Sequence, residues 1–578
     1  MTIDLDLLLH NARIADVFRL RVFEGWVGIR AGRFVYVEEG APPTNITVKE
    51  SRNLGGRVIV PGLIDSHMHI ESSHVTPRGF AQAVLPHGTT TILADAHEVA
   101  NVAGEDGVRW MIRASENLPL QIFHAIPSCV PATSPEFEWT RAVFDANVVA
   151  RLAREPAVIA LGEVMDYGQV LADGARLSAM VNAAHDAHLL VEGHIPTLRG
   201  TDLSQYLAWR ITSDHTLTTP EKIREQISKG LAVMLQTKSC TRENMAAVND
   251  LADRSRILLV TDDIEPTMLM KGHLSLIVAL AIDAGMSPIE ALASATIRPA
   301  RYLGLRDLGG IAPGFCADFA VMDELAAYPP REVFVGGERV AADGKFSARD
   351  LPMTPPAPAN VMLPGPFAVG DFEFVSLRGA PFATKQSPHS DLGIASQKPL
   401  AMTGTVPANA VVIKNATTSL TDLERVPVRV ENGYPRLDDA LALVAVVARD
   451  GSSKSIGVVK DFGLRVGAVA SSFAHDSHNL LVVGREADDM ASAANAVREI
   501  GGGVVVALDG KRIATFHLSV LGLLSDTPLD EIVQEFDALE SALRDLGVRH
   551  ARPFLMLSLL ALSVSPNFKF TDKGVMDT

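Results

Sequence analysis

A chain of 578 residues is long enough for several domains of ~150 residues each, or for fewer if one is a large barrel. Apolar residues make up 47% and charged residues 21%, which excludes a disordered chain and allows a core that needs no disulfide staples. The net charge of −16 argues against a nucleic-acid partner, and no uncharged apolar run is long enough to span a membrane.

The three cysteines, Cys129, Cys240 and Cys316, lie far apart and make no CxxC pair. They form neither a disulfide framework nor a zinc ribbon, so a reducing compartment is expected. The opening MTIDLDLLLH carries acids early and lacks a basic segment followed by an apolar one, unlike a signal peptide. The expected location is cytoplasmic.

In chain order, residues 1–57 read as short strands, with hairpin chemistry at Ala31-Gly32. A similar pattern returns over 309–350, with a turn at Gly336-Gly337. The two flanks are expected to form one composite β-sandwich. Between them, residues 58–308 hold eight short apolar runs, each ending in polar residues and followed by a helix-like stretch. The runs are VIVPGLIDSHMH, TTTILADAHE, LQIFHAIPS, VIALGEV, HLLVEGH, WRITSDH, LAVMLQTKS and RILLVTDD. Strands alternating with helices in this way predict an α/β fold, a (β/α)8 TIM barrel. Thr76-Pro77 and Ser287-Pro288 each read as an N-cap followed by proline at the first helical position.

Residues 351–370 are proline-rich and read as a connector. From 371 to 578 the pattern restarts as a separate α/β or α+β domain. Its strands are LALVAVVAR, SIGVVKDF and GGGVVVALDG; its helices are DMASAANAVREI and DEIVQEFDALESALRDLG. Gly501-Gly502-Gly503 is no phosphate loop, because no Lys-Ser/Thr follows and a strand does.

Chemistry concentrates at the ends of the apolar runs. His67 and His69 are two apart, so on a strand they point to one side and can share a metal. An HxH pair alone also occurs in ordinary turns. Run four, however, ends in Glu163, run five in His194, run six in His215 and run eight in Asp262-Asp263. Barrel strand ends meet at one face, where barrel active sites lie. Six N/O ligands exceed what one four-coordinate ion uses, so two metals bridged by Glu163 fit the count. Imidazole and carboxylate without thiolate suit Mn(II), Fe(II) or Zn(II). Asp262 can both hold a metal and carry a proton.

Several segments are distinctive: PGLIDSHMHIESSHVTPRGFAQAVLPHGTTTILADAHE, LGEVMDY, EGHIP, SDH, TDDIEPTMLMKGHL and, far downstream, SSFAHDSHNLLVVG and FKFTDKGVMD. With them the chain resembles the bacterial adenine deaminases of the amidohydrolase superfamily over nearly its whole length. The resemblance implies hydrolysis of adenine, a small-molecule purine base, to hypoxanthine and ammonia by two divalent metal ions. It maps His67, His69, Glu163, His194, His215 and Asp262 onto the metal-ligand pattern. Glu163 stands where many relatives use a carbamylated lysine. A related activity, on N6-methyladenine or a cyclic amide, is the alternative. A homodimer is expected.

Purine deamination also requires that N1 gain a proton. The acid that adenosine-type deaminases carry shortly after the strand-five histidine is absent, since Ile195-Pro196-Thr197 follow His194. His97 and Glu98 are the candidates for protonating or orienting the base. Ser128, with His124 and Cys129, is expected to line the pocket. His475 and His478 in SSFAHDSHN are expected to touch the substrate, a self-satisfied turn being the competing reading. The strand-seven segment departs from the Arg-Glu-Gly-Ser-like run of the family, reading Gln236-Thr237-Lys238-Ser239. His273 is expected to be structural or to support a ligand.

Overall fold

The eight apolar runs each supply a parallel strand. In the computed structural model, which describes residues 3–347, 350–359, 363–372, 383–384, 404–415, 420–431, 434–565 and 567–577, they are as follows. β1 is Leu63–Met68, β2 Thr89–Asp95, β3 Gln121–Ile126, β4 Val158–Val164, β5 Leu190–Gly193, β6 Ser213–Asp214, β7 Ala232–Leu235 and β8 Ile257–Leu259. Five hydrogen-bond in the order β5-β4-β3-β2-β1, and three in the order β6-β7-β8. The arcs meet at both seams. Thr212 N donates to Val191 O at 2.9 Å beside β5, and Asp262 N donates to His67 O at 3.2 Å beside β1. The ring is therefore closed. β2, β7 and β8 are buried at every residue, which is why they read as unbroken apolar runs rather than alternating ones.

The first run divides at Gly62. Val58–Pro61 pairs antiparallel with Phe319–Met322, outside the barrel, before β1 begins. A Cβ at Gly62 would lie 2.2 Å from Thr90 Oγ1, so the close approach to β2 requires glycine. Helix Pro77–Val84 starts with proline at its first turn, and helix Pro288–Ser294 does the same. Neither Thr76 nor Ser287 caps through its side chain. Thr219 and Thr241 do, at helices Pro220–Ser228 and Arg242–Asn249, each contributing about 1 kcal/mol.

Both flanks of the barrel join one nine-stranded sheet. Ile3–Asp16, Arg21–Arg30, Arg33–Glu39, Ile46–Asn53 and Val58–Pro61 come from one side, and the strands of 319–346 from the other. Ile14, Val27, Phe34, Ile59, Phe319 and Phe334 form its main core. Ala31-Gly32 and Gly336-Gly337 all have positive φ, between 50° and 75°, as the primed turns of tight hairpins require.

The chain packs as two compact units. The first comprises Met1–Ala96, Met111–Ser128 and Asp145–Pro355; the second comprises His97–Trp110, Cys129–Phe144 and Pro356–Thr578. The division falls inside the proline-rich stretch, whose residues 351–359 hold no helix or strand. The second unit contains another nine-stranded sheet, running from Tyr434–Arg436 at one edge to Lys511–His517 at the other. The three expected strands are there as Leu441–Val447, Lys454–Lys460 and Gly503–Leu508. Helix Ala487–Glu499 buries Met490, Ala493, Ala494 and Val497 against Leu443, Val482 and Val505. No helix among the described residues is long and apolar enough to cross a membrane.

Candidate metal centre

All six residues at the ends of the runs belong to the first unit and converge. β1 presents His67 and His69 together because its D-x-H-x-H spacing follows the strand period. Asp65 fixes the register. Its carboxylate accepts from His67 N at 3.3 Å, Thr261 N at 3.1 Å and Thr261 Oγ1 at 2.6 Å, tying β1 to the residues after β8. His67 Nδ1 lies 3.1 Å from Glu192 Oε2, and His69 Nδ1 lies 3.0 Å from Asp95 O. An acceptor at each Nδ1 takes the ring proton there and leaves the Nε2 lone pair turned inward, as metal-binding histidines need. Burial pushes His67 down to about 3, so its ring is neutral. Its Nε2 is buried and makes no hydrogen bond among the described residues.

Glu163 divides its two oxygens between two groups of ligands. Oε1 faces His69 Nε2 at 3.3 Å, whereas Oε2 faces His194 Nδ1 at 2.7 Å and His215 Nε2 at 3.2 Å. Burial would raise this carboxyl, yet the imidazoles of His215 and His194 hold it well below the usual carboxylate range. Asp262 Oδ1 lies 3.8 Å from His67 Nε2 and 3.6 Å from His69 Nε2. The ligand atoms of His67, His69 and Asp262 lie within 4.8 Å of one another, and so do those of His67, Glu163 and His215. Two overlapping sets of N/O donors, with the His67 ring in common, fit a pair of divalent ions.

Asp262 sits at φ 60°, the left-handed region that asparagine and aspartate tolerate best among side-chain-bearing residues. Such a conformation costs on the order of 1–3 kcal/mol and persists only where neighbours enforce it. Here the backbone is held by Asp262 N donating to His67 O, and the side chain by Gln236 Nε2 donating to Oδ2 at 2.7 Å. Gln236 Nε2 also reaches His215 O at 3.2 Å. The strand-seven departure from the family pattern thus supplies a neutral amide that aims Asp262 Oδ1 at the imidazoles.

Gly162 makes room for the neighbour of Glu163. A Cβ there would lie 2.0 Å from Asp95 Oδ2, the atom that accepts from Glu163 N at 3.3 Å. Gly162→Ala is expected to cost about 1–3 kcal/mol of stability by overpacking. It should also lower kcat by displacing Glu163; thermal melts and steady-state rates check both. Glu192→Gln is expected to weaken metal retention by about 10–100-fold, because the acceptor that sets the His67 tautomer is impaired. Competition with a chelator measures it.

The other expected site residues fall as follows. Ser128 Oγ donates to the Glu163 carbonyl at 2.5 Å, so it supports the end of β4. His124 lies within β3, and burial pushes it down to about 4. His273 bridges Thr89 Oγ1 at 3.1 Å and Thr261 Oγ1 at 3.2 Å, a structural role inside the first unit. His97, Glu98, Cys129, His475 and His478 belong to the second unit. There Glu98, on the first turn of helix His97–Ser115, pairs with His475 Nδ1 at 2.5 Å and with His478 Nε2. Asp65, Asp95 and Glu192 are not among the residues the sequence singles out, and Gln236 stands out there only as part of the strand-seven departure. Asp65 and Glu192 each stand two residues before a strand-end histidine, and that spacing is the signal that could have found them.

Sequence comparison gives the same picture from a separate direction. The Amidohydrolase family matches residues 58–346, and the Adenine deaminase C-terminal domain matches residues 418–578. The chain is 37% identical over 582 residues to an adenine deaminase of Desulfatibacillum aliphaticivorans, covering 99% of this chain and 95% of that one. It is 36% identical over 573 residues to an adenine deaminase of Methanothermobacter thermautotrophicus, covering 98% and 97%.

Proposed function

Because the chain belongs to the adenine deaminase family of the amidohydrolases, we propose that it hydrolyses adenine to hypoxanthine and ammonia at a two-metal centre. The observation that carries this reading is the division of the Glu163 oxygens between His69 on one side and His194 with His215 on the other. A carboxylate so placed can serve two ions at once.

Bound there, two divalent ions would bring the pKa of a water between them toward neutrality. The chain's own groups do the rest. His67, His69, His194 and His215 would supply ring nitrogens to the ions, with Glu163 between the two sets. Asp262, fixed through Oδ2 by Gln236, has Oδ1 available to accept the attacking water's proton and to hand it to the departing amino group. A C6–O bond forms, the two protons of the added water end one on N1 and one, through Asp262, on the amino group, the C6–N bond breaks, and ammonia leaves. The absence of thiolate from the donor set favours Mn(II), Fe(II) or Zn(II).

The test is an amine-release screen over free purines after loading the full chain with Mn(II). Ammonia and hypoxanthine from adenine are expected. Methylamine from N6-methyladenine, with adenine left intact, would overturn the assignment of substrate. No amine from either would overturn the reaction.

A further inference from the structure

His194 and His215, the two imidazoles that face Glu163 Oε2, are tied together by a buried carboxylate outside the ligand set. Asp214 ends β6 and is buried. Its Oδ1 accepts from Ile195 N at 3.0 Å and from Thr216 N at 3.0 Å. These are the peptide groups that directly follow His194 and His215. One oxygen thus fixes the peptide after each ring and the spacing between the two strand ends. The rings lie close, with His194 Nδ1 3.2 Å from His215 Nε2. The opposite half of the centre has its own brace, since Asp65 joins His67 N to Thr261 N, just before Asp262.

Asp214 is in turn locked by helix Pro220–Ser228. Lys222, in its first turn, and Gln226, four residues on, share one face and are both buried. Each reaches the other oxygen, Asp214 Oδ2: Lys222 Nζ at 2.8 Å and Gln226 Nε2 at 2.6 Å. Lys222 Nζ also donates to Thr216 Oγ1 at 2.6 Å and to Leu217 O at 3.1 Å. Thr216 Oγ1 passes the contact on, donating to Asp214 Oδ1 at 2.9 Å. All three ammonium protons are therefore used. A buried lysine in the first turn of a helix is opposed both by burial and by the helix dipole. The carboxylate it neutralises is what sustains it there.

Given the two-metal centre proposed for the barrel, on which this role rests, we propose that Asp214, locked by Lys222, is the positioning residue that sets the affinity of the His194–His215 half for its ion. The half formed by His67, His69 and Asp262 is held by Asp65 and Gln236 and does not depend on it.

Electron paramagnetic resonance of the full chain titrated with Mn(II) tests this without recourse to turnover, because a spin-coupled pair of Mn(II) ions and an isolated ion give different spectra. The unaltered protein is expected to show the coupled spectrum. Asp214→Asn is expected to show the isolated-ion spectrum and to need about 10–100-fold more Mn(II) to reach the coupled one. The cause is a conflict of donors: the new NH₂ group must face either Lys222 and Gln226 or Ile195 N and Thr216 N. Removing the cation as well should relieve it. Gln226 Oε1 is buried and makes no hydrogen bond among the described residues, so it can turn to accept from that NH₂ group while the amide oxygen keeps Ile195 N and Thr216 N. The double variant Asp214→Asn, Lys222→Met is therefore expected to recover the coupled spectrum at a Mn(II) concentration close to that of the unaltered protein. If Asp214→Asn does not fold, Gln226→Met, which takes one donor from Oδ2, is expected to weaken the second ion alone by about tenfold. A folded single variant that binds both ions normally or weakens both alike, or a double variant no better than Asp214→Asn, would overturn the positioning role. An unaltered protein that never shows the coupled spectrum would overturn the two-metal reading, and this role with it.

Discussion

Glu163→Gln is expected to lower adenine turnover by roughly 10³-fold or more, equivalent to about 4 kcal/mol, and to lose one of the barrel ions. The substitution keeps size and shape, so the end of β4 and its contact with Ser128 should remain. What changes is that one of two anionic oxygens becomes an amide nitrogen with two hydrogens and no lone pair to give. Whichever way the amide turns, either the His69 side or the His194 and His215 side faces a donor instead of an acceptor. Metal analysis together with kcat reads the result. Two retained ions with turnover within tenfold of the unaltered protein would remove Glu163 from the bridging position.

The barrel was legible because parallel strands buried on both faces leave long apolar runs, and their polar ends mark one mouth. The same pattern carried the six candidate ligands, since each ends or directly follows a run. The division at Gly62 was harder to see. Val58–Pro61 and β1 form one apolar stretch in sequence, and only the antiparallel pairing with Phe319–Met322 separates them. In the second unit, Leu441–Val447 was plain from its continuous burial. Gly404–Ile413 and Thr421–Glu431 were not, because the latter alternates apolar with charged residues and weakens any simple hydropathy signal.

The supporting residues of the site were less visible than the ligands, for a physical reason. Gln236 acts through a partner 26 positions away, so no local spacing announces it, and the only local sign of Glu192, whose partner is 125 positions away, is its place two residues before His194. Gln236 even stood out in sequence as a departure from the family pattern, with nothing to show what the amide holds. His475 and His478 read as substrate contacts or as a self-satisfied turn. Within the second unit their ring nitrogens face Glu98, a long-range partner that neither reading named.

Asp262→Asn is expected to reduce kcat by about 10²–10⁴-fold with little change in KM, the range associated with loss of a positioned proton-transfer group. The fold should survive it. Asparagine shares the tolerance of aspartate for the left-handed backbone that this position adopts at φ 60°, and the bond from Asp262 N to His67 O is untouched. The defect lies in the side chain. Gln236 Nε2 is a donor, so it will take the single amide oxygen of asparagine and turn the NH₂ group toward the imidazoles. The atom that should accept a proton is then itself a donor. Gln236→Ala separates positioning from chemistry: it keeps the carboxylate, frees it to rotate, and should cost only about 10-fold to 100-fold. A rate for Asp262→Asn no worse than that of Gln236→Ala would mean that Asp262 holds geometry only, and that proton transfer belongs to another group.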